Sequence, residues 1–303
     1  MASQRDVKNR ISSVKNIQKI TRAMEMVAAA RLRRAEQRIV ALRPYAEAIR
    51  RMTRQAAAAA GAEASRLPLL SEHESERNVG LLLITGDRGL AGGFNSQVIR
   101  AGLRAAGELA ESQRKSVWYA TGRRGVSSLA FRGHELSGSF TGFADRPAYA
   151  DARSVADDLM TAYVDGHLDR VELIYNAYIS PLTQEVRRET LLPLAEATIT
   201  GEAEDDDGER DAAESGPHAL VEYEPGPEEI LRRLVPDYVE ISVYRALVES
   251  AAGFFGAQMT AMRSASDNAG EIITDLTLQM NRARQAEITQ EIMEVVAGAE
   301  GLT

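Results

Sequence analysis

Residues 241–283, ISVYRALVESAAGFFGAQMTAMRSASDNAGEIITDLTLQMNRA, decide the fold. Apolar or small side chains recur at Ile241, Tyr244, Val248, Ala251, Phe255, Met262, Ala265, Ala269, Ile272, Leu276 and Ala283, with Gln258 and Gln279 completing the series. Steps of three and four put all of them on one helical face, the heptad signature of a coiled-coil seam. Alanines there let a partner helix come close, while glutamines cost stability and help to fix register. Extended from about Glu228 to Val296, such a helix reaches roughly 100 Å at 1.5 Å per residue. A sustained heptad period predicts a left-handed supercoil.

The N-terminal end carries the same pattern. Leu32, Ala35, Ile39, Leu42, Ala46 and Ile49 form a seam, preceded by an apolar stripe at Ile11, Val14, Ile17, Ile20, Met24 and Val27. The nine prolines spare residues 1–43 and everything after Pro236, so both ends can be uninterrupted helix. Pro44 predicts a local bend or loosening rather than an end, because the seam continues past it. With one such pattern at each end, the simplest arrangement pairs the termini as an antiparallel intramolecular coil. Heptads do not name their partner, so an intermolecular coil stays open.

Between the two lies an α/β region. Val79-Gly80-Leu81-Leu82-Leu83-Ile84-Thr85 is a continuous apolar run ending at glycine, as a buried parallel strand requires. A helix from Asn95 to about Glu111 follows, then a strand at Ser116–Ala120, a helix near Gly125–Arg132, a helix at about Asp151–Asp165, and strands at Val171–Ala177 and Glu185–Leu191. Strands alternating with helices predict a small layered sheet. Residues 202–214 hold eight acids and one Arg. The surrounding segment, 200–218, has little to bury and reads as a flexible acidic loop. It lacks the ligand order of an EF-hand calcium site.

Composition excludes several chemistries. The 303 residues contain no cysteine, which removes disulfides, thiol nucleophiles and Cys-based metal sites. The four histidines, His73, His134, His167 and His218, have no partner at metal spacing. No apolar run approaches the roughly 20 residues that span a bilayer, and the N-terminus has no apolar signal segment. Net charge is −8, yet residues 1–54 carry 14 Lys/Arg against 4 Asp/Glu, an excess of 14 − 4 = +10. That basic helix calls for an anionic partner, and the overall acidity favours an acidic protein surface over nucleic acid.

Gly86-Asp87-Arg88-Gly89-Leu90-Ala91-Gly92-Gly93-Phe94-Asn95 stands where a strand passes into a helix, the position of phosphate-binding loops. It lacks the Gly-Lys-Ser/Thr of Walker A and the dinucleotide glycine spacing. An exposed loop presenting Arg88 and Asp87 to another protein fits better. No nucleophile–base set stands out, so catalytic, cofactor and metal sites are all read as absent.

Three stretches carry a family resemblance. Ser13-Val14-Lys15-Asn16-Ile17-Gln18-Lys19-Ile20-Thr21-Arg22-Ala23-Met24-Glu25-Met26-Val27-Ala28-Ala29-Ala30 resembles the N-terminal signature of the gamma subunits of F-type ATP synthases. Ile84-Thr85 with the glycine loop to Asn95 resembles that family's first strand and loop. Ser266-Asp267-Asn268-Ala269 and Asn281-Arg282-Ala283-Arg284-Gln285-Ala286-Glu287-Ile288-Thr289-Gln290-Glu291-Ile292 resemble its C-terminal signature. The matches bracket nearly the whole chain in the family's order.

The resemblance implies a long antiparallel coiled coil of N- and C-terminal helices with an inserted Rossmann-like α/β domain. The expected divisions are 1–60 (coiled-coil helix), 76–198 (α/β domain), 199–222 (acidic insertion) and 223–303 (foot segment and C-terminal helix). It implies a non-catalytic central rotor of a proton-translocating ATP synthase. Such a rotor couples rotation of the membrane ring to conformational change in the catalytic head. Implied partners are the alpha and beta subunits, the epsilon subunit and the c-ring, with one copy in a hetero-oligomer, no nucleic acid and no cofactor. The implied location is peripheral, at the cytoplasmic face of the cell membrane; the coupling ion is set in the ring, not in this chain.

By the same resemblance, Arg284, Gln285 and Thr289 match positions that contact catch loops of the catalytic subunits, and Met24 matches the position facing that contact from the N-terminal helix. Arg88 lies on the strand-to-helix loop, and Tyr223 and Glu224 resemble the foot segment that meets the ring. Phe254 and Gln258 stand where the family usually has Glu and Arg, and Ala91 where it often has Cys. The absence of Cys excludes the thiol-regulated chloroplast type. Two other classes remain: a free-standing coiled-coil adaptor, and a nucleotide-binding enzyme using Gly86–Gly93.

Overall fold

The computed structural model describes residues 4–194 and 226–300. The acidic stretch, together with Tyr223 and Glu224, lies outside the described residues. This part holds five helices and five strands, in the order α1 (Gln4–Ala60), β1 (Asn78–Ile84), α2 (Phe94–Glu111), β2 (Lys115–Thr121), α3 (Arg123–Phe131), β3 (Leu136–Phe140), α4 (Tyr149–Val164), β4 (Arg170–Tyr178), β5 (Gln184–Leu192) and α5 (Pro227–Glu300). A short 3-10 turn, Gly61–Arg66, closes α1. Both terminal patterns are single helices, and α1 runs through Pro44 as α5 runs through Pro236. The chain divides into two compact units: residues 1–30 with 258–303, and residues 31–257.

The second unit is built on one sheet of order β3-β2-β1-β4-β5. β1 pairs in parallel with β2 and β4, and β2 in parallel with β3. β5 returns antiparallel along β4 as an edge. The alternation of β1 explains its continuous apolar sequence. Val79, Leu81 and Leu83 face one layer with Val98, Ala105 and Leu109 of α2 and Leu129 of α3. Leu82 and Ile84 face the other, with α4, the α1 residues Ile49 and Ala56, and the α5 residues Leu231 to Leu247. A strand covered on both faces must be apolar at every position. β3 has no counterpart among the strands expected from sequence. Its Leu-Ser-Gly-Ser-Phe composition has weak strand propensity and is held by pairing to β2.

Polar contacts lock α5 onto the sheet. The Arg245 guanidinium donates to the Tyr175 hydroxyl at 3.0 Å and to a Glu189 carboxylate oxygen at 2.6 Å. It also reaches Glu249 at 3.3 Å. Burial pushes the Glu249 carboxyl up, and Arg245 opposes that shift. At the opposite end of the strands, the Asp169 carboxylate accepts the backbone N–H groups of Arg77 and Asn78, both at 2.8 Å. His73 Nδ1 lies 3.1 Å from its other oxygen. Burial alone acts to raise the Asp169 pKa, but the Asn78 and Arg77 amides and His73 together outweigh it and hold the carboxyl below its usual value. A depressed carboxyl stabilises above its unfolded pKa of about 3.9, and that contribution is lost as pH falls through the folded value. Asp169→Asn is therefore expected to cost about 1–2 kcal/mol at pH 7. Below about pH 3.5 the gap from the parent should narrow; urea titrations at the two pH values check this, and a gap independent of pH would refute it.

In the first unit the helices run antiparallel. Gln18 Nε2 donates to the Ser266 carbonyl at 3.2 Å, and Arg263 Nε donates to Glu25 at 2.8 Å, so rising numbers on α1 meet falling numbers on α5. The coil is thus intramolecular. The seam follows the predicted stripe only in part. Val7, Ile11, Thr21 and Ala28 are buried, with Val14, Gln18, Met24 and Glu25 half-buried. Ile17, Ile20 and Val27 are 53%, 59% and 52% exposed. On α5 the predicted Gln258, Met262, Ala265, Ala269, Leu276 and Ala283 are buried or half-buried, joined by Ser266, Ile273 and Met280, whereas Ile272 and Gln279 face outward. Both seams keep the three-and-four spacing but pass through Gln18, Thr21 and Ser266. Small and hydrogen-bonding side chains suit a closely approached helix pair better than bulky branched ones. The polar register contact is Gln18 to Ser266 rather than the predicted Gln279.

Candidate functional site

In an open parallel sheet, ligands bind at the carboxyl ends of the strands where strand order reverses. Here that point lies between β1 and β4, and it is filled. Phe254 of α5 is buried there and packs edge-on against Phe94 at 5.6 Å between ring centroids. A Cβ on Gly86 would lie 3.0 Å from the Phe254 ring, and one on Gly253 would lie 3.2 Å from Phe94. The Asn176 side chain, at the end of β4, donates to the Phe94 carbonyl at 3.0 Å. A helix packed into the crevice leaves no room for a nucleotide. The Phe254 position is a dry contact in this chain.

The glycine loop is organised from within. Asn95 Oδ1 accepts the Gly86 N–H at 2.8 Å, and Asn95 Nδ2 donates to the Arg88 carbonyl at 3.1 Å. The Asp87 carboxylate accepts the backbone N–H groups of Arg123, Gly142 and Ala144, at 3.0 to 3.1 Å. Asp87 is consequently not presented to a partner, contrary to expectation. Its three amide contacts tie the loops after β1, β2 and β3 together. Arg88 is presented: its side chain is exposed and its Nε lies 3.5 Å from Asp145. The exposed Leu90 follows at φ 64°.

Arg284, Gln285 and Thr289 are all exposed on α5, within a stretch, 284–297, that is exposed at every position. The Thr289 hydroxyl donates to the Gln285 carbonyl at 2.8 Å. Ile288, Ile292, Met293, Val295 and Val296 share this stretch as exposed apolar side chains. Met24 is half-buried in the seam and does not lie beside Arg284. Its neighbour Glu25 pairs with Arg263, 284 − 263 = 21 residues away along the helix, which is roughly 30 Å at 1.5 Å per residue.

One further feature is not legible in sequence. Arg31, Arg34 and Arg38 of α1 and Arg146 line an open groove of about 340 Å³, whose apolar floor includes Phe255 and Val248. Arg31 lies over the Phe255 ring at 5.7 Å and donates to Asp145 at 3.3 Å. The excess of arginine on α1 is visible in sequence; the contribution of Arg146 from a distant loop is not.

A family model described as ATP synthase matches residues 3–302. The ATP synthase gamma chain of Rubrobacter xylanophilus is 42% identical over 303 residues, covering 100% of this chain and 99% of its own. That of Moorella thermoacetica is 44% identical over 302 residues, covering 100% of both. The chain belongs to the ATP synthase gamma chain family. It is thus a gamma-type subunit of the synthase. Among solved structures, the rotor of Euglena gracilis mitochondrial ATP synthase matches with TM-score 0.62 and 16% identity, covering 94% of this chain and 98% of that one. The central stalk and c-ring structure of the Tetrahymena thermophila enzyme matches with TM-score 0.58 and 24% identity, covering 82% and 99%. These two support the fold: long terminal helices with a mainly parallel sheet between them. No helix among the described residues is long and apolar enough to cross a membrane.

Proposed function

We propose that this gamma-family chain transmits torque to the alpha and beta subunits through the far end of α5, with Arg284, Gln285 and Thr289 as its polar contacts. The observation that carries the reading is the exposure of every residue from 284 to 297, directly beyond the last seam residue, Ala283. A helix that outruns its partner has a face available to a surrounding protein, and its apolar side chains suit a bearing. Exposed Ile17, Ile20, Met26 and Val27 on α1 extend the same kind of surface.

Residues 1–60 and 223–303 serve as the shaft in this reading, and 76–198 as the domain that links it to the c-ring and the epsilon subunit. Tyr223 and Glu224 would supply the foot contact, Arg88 a contact from the β1–α2 loop, and Met24 a support within the seam. The assembly holds one copy, peripheral to the cytoplasmic face of the cell membrane, in a proton-driven complex without nucleic acid or cofactor in this chain. The alternative of a nucleotide-binding enzyme is disfavoured by the crevice that Phe254 occupies.

Replacing Arg284 and Gln285 together with Ala, in the assembled synthase, is expected to reduce ATP turnover roughly tenfold, equivalent to about 1.4 kcal/mol on the barrier. Thermal unfolding of the chain should not change, because both side chains are exposed. Unaltered turnover in a fully assembled complex would remove their assigned role.

A further inference from the structure

Arg31, Arg34 and Arg38 stand on one face of α1, at steps of three and four, and Arg146 reaches the same groove from the loop after β3. Four guanidinium groups therefore line a space of about 340 Å³ against one carboxylate, Asp145. That carboxylate already serves Arg31 at 3.3 Å and Arg88 at 3.5 Å. Arg34, Arg38 and Arg146 make no ion pair or side-chain hydrogen bond among the described residues. Unpaired cations held around one cleft repel each other, so the groove attracts an anion more strongly than scattered surface arginines do.

The floor and the length of the groove define the kind of anion. Val248, Ala251 and Phe255 are at most 5% exposed, and Arg31 already covers the Phe255 ring at 5.7 Å. A ligand gains little there by burying apolar surface, and a nucleotide base finds no open ring to stack on. The arginines of α1 span 38 − 31 = 7 residues, roughly 10 Å along the helix. That is the reach of a short phosphate chain, and the volume of the groove is at the low end for small-ligand sites, which run from about 300 to 1,000 Å³. A stable protein contact needs roughly 800 Å² on each partner, far more than the groove provides. What it offers is dense charge and planar guanidinium forks, which grip phosphate oxygens in pairs.

We propose that this groove binds a short linear oligophosphate, such as pyrophosphate or tripolyphosphate, held by Arg34, Arg38 and Arg146 with Arg31 at the floor. The phosphate chain is the ligand, whether free or carried by a nucleotide. It bridges α1 to the β3–α4 loop, a link that Arg31 and Asp145 make without it. The site lies outside the crevice filled by Phe254 and needs none of the torque contacts proposed for α5.

Isothermal titration calorimetry of the full-length chain tests it, with tripolyphosphate in magnesium-free buffer of about 0.1 M ionic strength. One site is expected, with a Kd of about 10–100 µM. ATP should bind within about threefold of tripolyphosphate, because only the chain is held. Arg34→Gln combined with Arg38→Gln should weaken binding about tenfold or more without lowering the unfolding temperature, since neither side chain is paired. Arg146→Gln alone, in the loop, should weaken it about threefold. Arg100→Gln combined with Arg104→Gln, an exposed pair on α2, should leave it unchanged. Equal losses from the α1 and α2 pairs, or no binding below about 1 mM, would reduce the groove to a diffuse ion atmosphere and overturn the proposal. ATP binding more than about tenfold tighter than tripolyphosphate would reveal a base site and refute the assignment to the chain alone. Tighter binding of hexaglutamate than of tripolyphosphate would give the groove to an acidic protein segment instead, and sink the proposal equally.

Discussion

Phe254→Ala is expected to lower the stability of the unit formed by residues 31–257 by about 3–5 kcal/mol, the range for deleting a buried aromatic ring. The ring is 3% exposed and meets Phe94, Phe255 and the backbone of Gly86. Gly86 cannot refill the space, since it has no side chain, and Asn176 holds the Phe94 carbonyl in place from the opposite side. The cavity therefore persists, and its walls lose their dispersion contacts. Phe254→Leu, which keeps most of the volume, should cost less than about 1.5 kcal/mol. Urea titration of both variants measures the difference. Neither should gain ATP binding, because the opened loop still lacks a phosphate-cradling lysine. An alanine variant within about 0.5 kcal/mol of the parent would show that α5 does not seal the crevice.

Gly122→Ala should have an effect of comparable size for a different reason. A Cβ on Gly122 would lie 2.1 Å from the Thr85 carbonyl oxygen, and its φ is +82°. With ψ at 139° this is a positive-φ extended conformation nearly confined to glycine, which costs an L residue about 1–3 kcal/mol, and the overlap adds about 1–3 kcal/mol through displaced backbone. Thr85 cannot yield readily. Its hydroxyl donates to the Thr121 carbonyl at 2.8 Å and accepts the Gly125 N–H at 2.8 Å, joining β1, β2 and α3. Gly133 is a comparison without the clash, at φ +79° with nothing within 4 Å of the place a methyl group would take. Gly133→Ala should cost only the conformational part, about 1–2 kcal/mol. Urea titration compares the two, and equal destabilisation would mean that the Thr85 contact is not tight.

Several parts of the fold are legible in sequence because they rest on local periodicity. The unbroken apolar run Val79–Ile84 marks a strand covered on both faces, and it is the central strand of the sheet. The heptad spacings of both ends correspond to two uninterrupted helices. β3 is not legible, since Ser137, Gly138 and Ser139 become a strand only when β2 offers an edge. Asp87 reads in sequence as a displayed charge, because its three amide partners come from residues 36 to 57 positions away. Arg284, Gln285 and Thr289 stand on an exposed helix end, which is compatible with the contact role proposed for them but does not supply the partner.

The coil shows best where sequence stops and packing begins. By itself the sequence determined that both ends are long helices with a three-and-four repeat, since that repeat is a property of one helix's own geometry. It also determined the family, through stretches that bracket nearly all of the chain. Only the tertiary structure decided which stripe faces inward: Gln18, Thr21, Ala28 and Ser266 are enclosed while Ile17, Ile20, Val27 and Ile272 are left outside. Hydropathy ranks the second set higher. Burial in a closely approached pair is governed instead by how near two backbones come and which side chains can hydrogen-bond across the gap, and that depends on both helices at once.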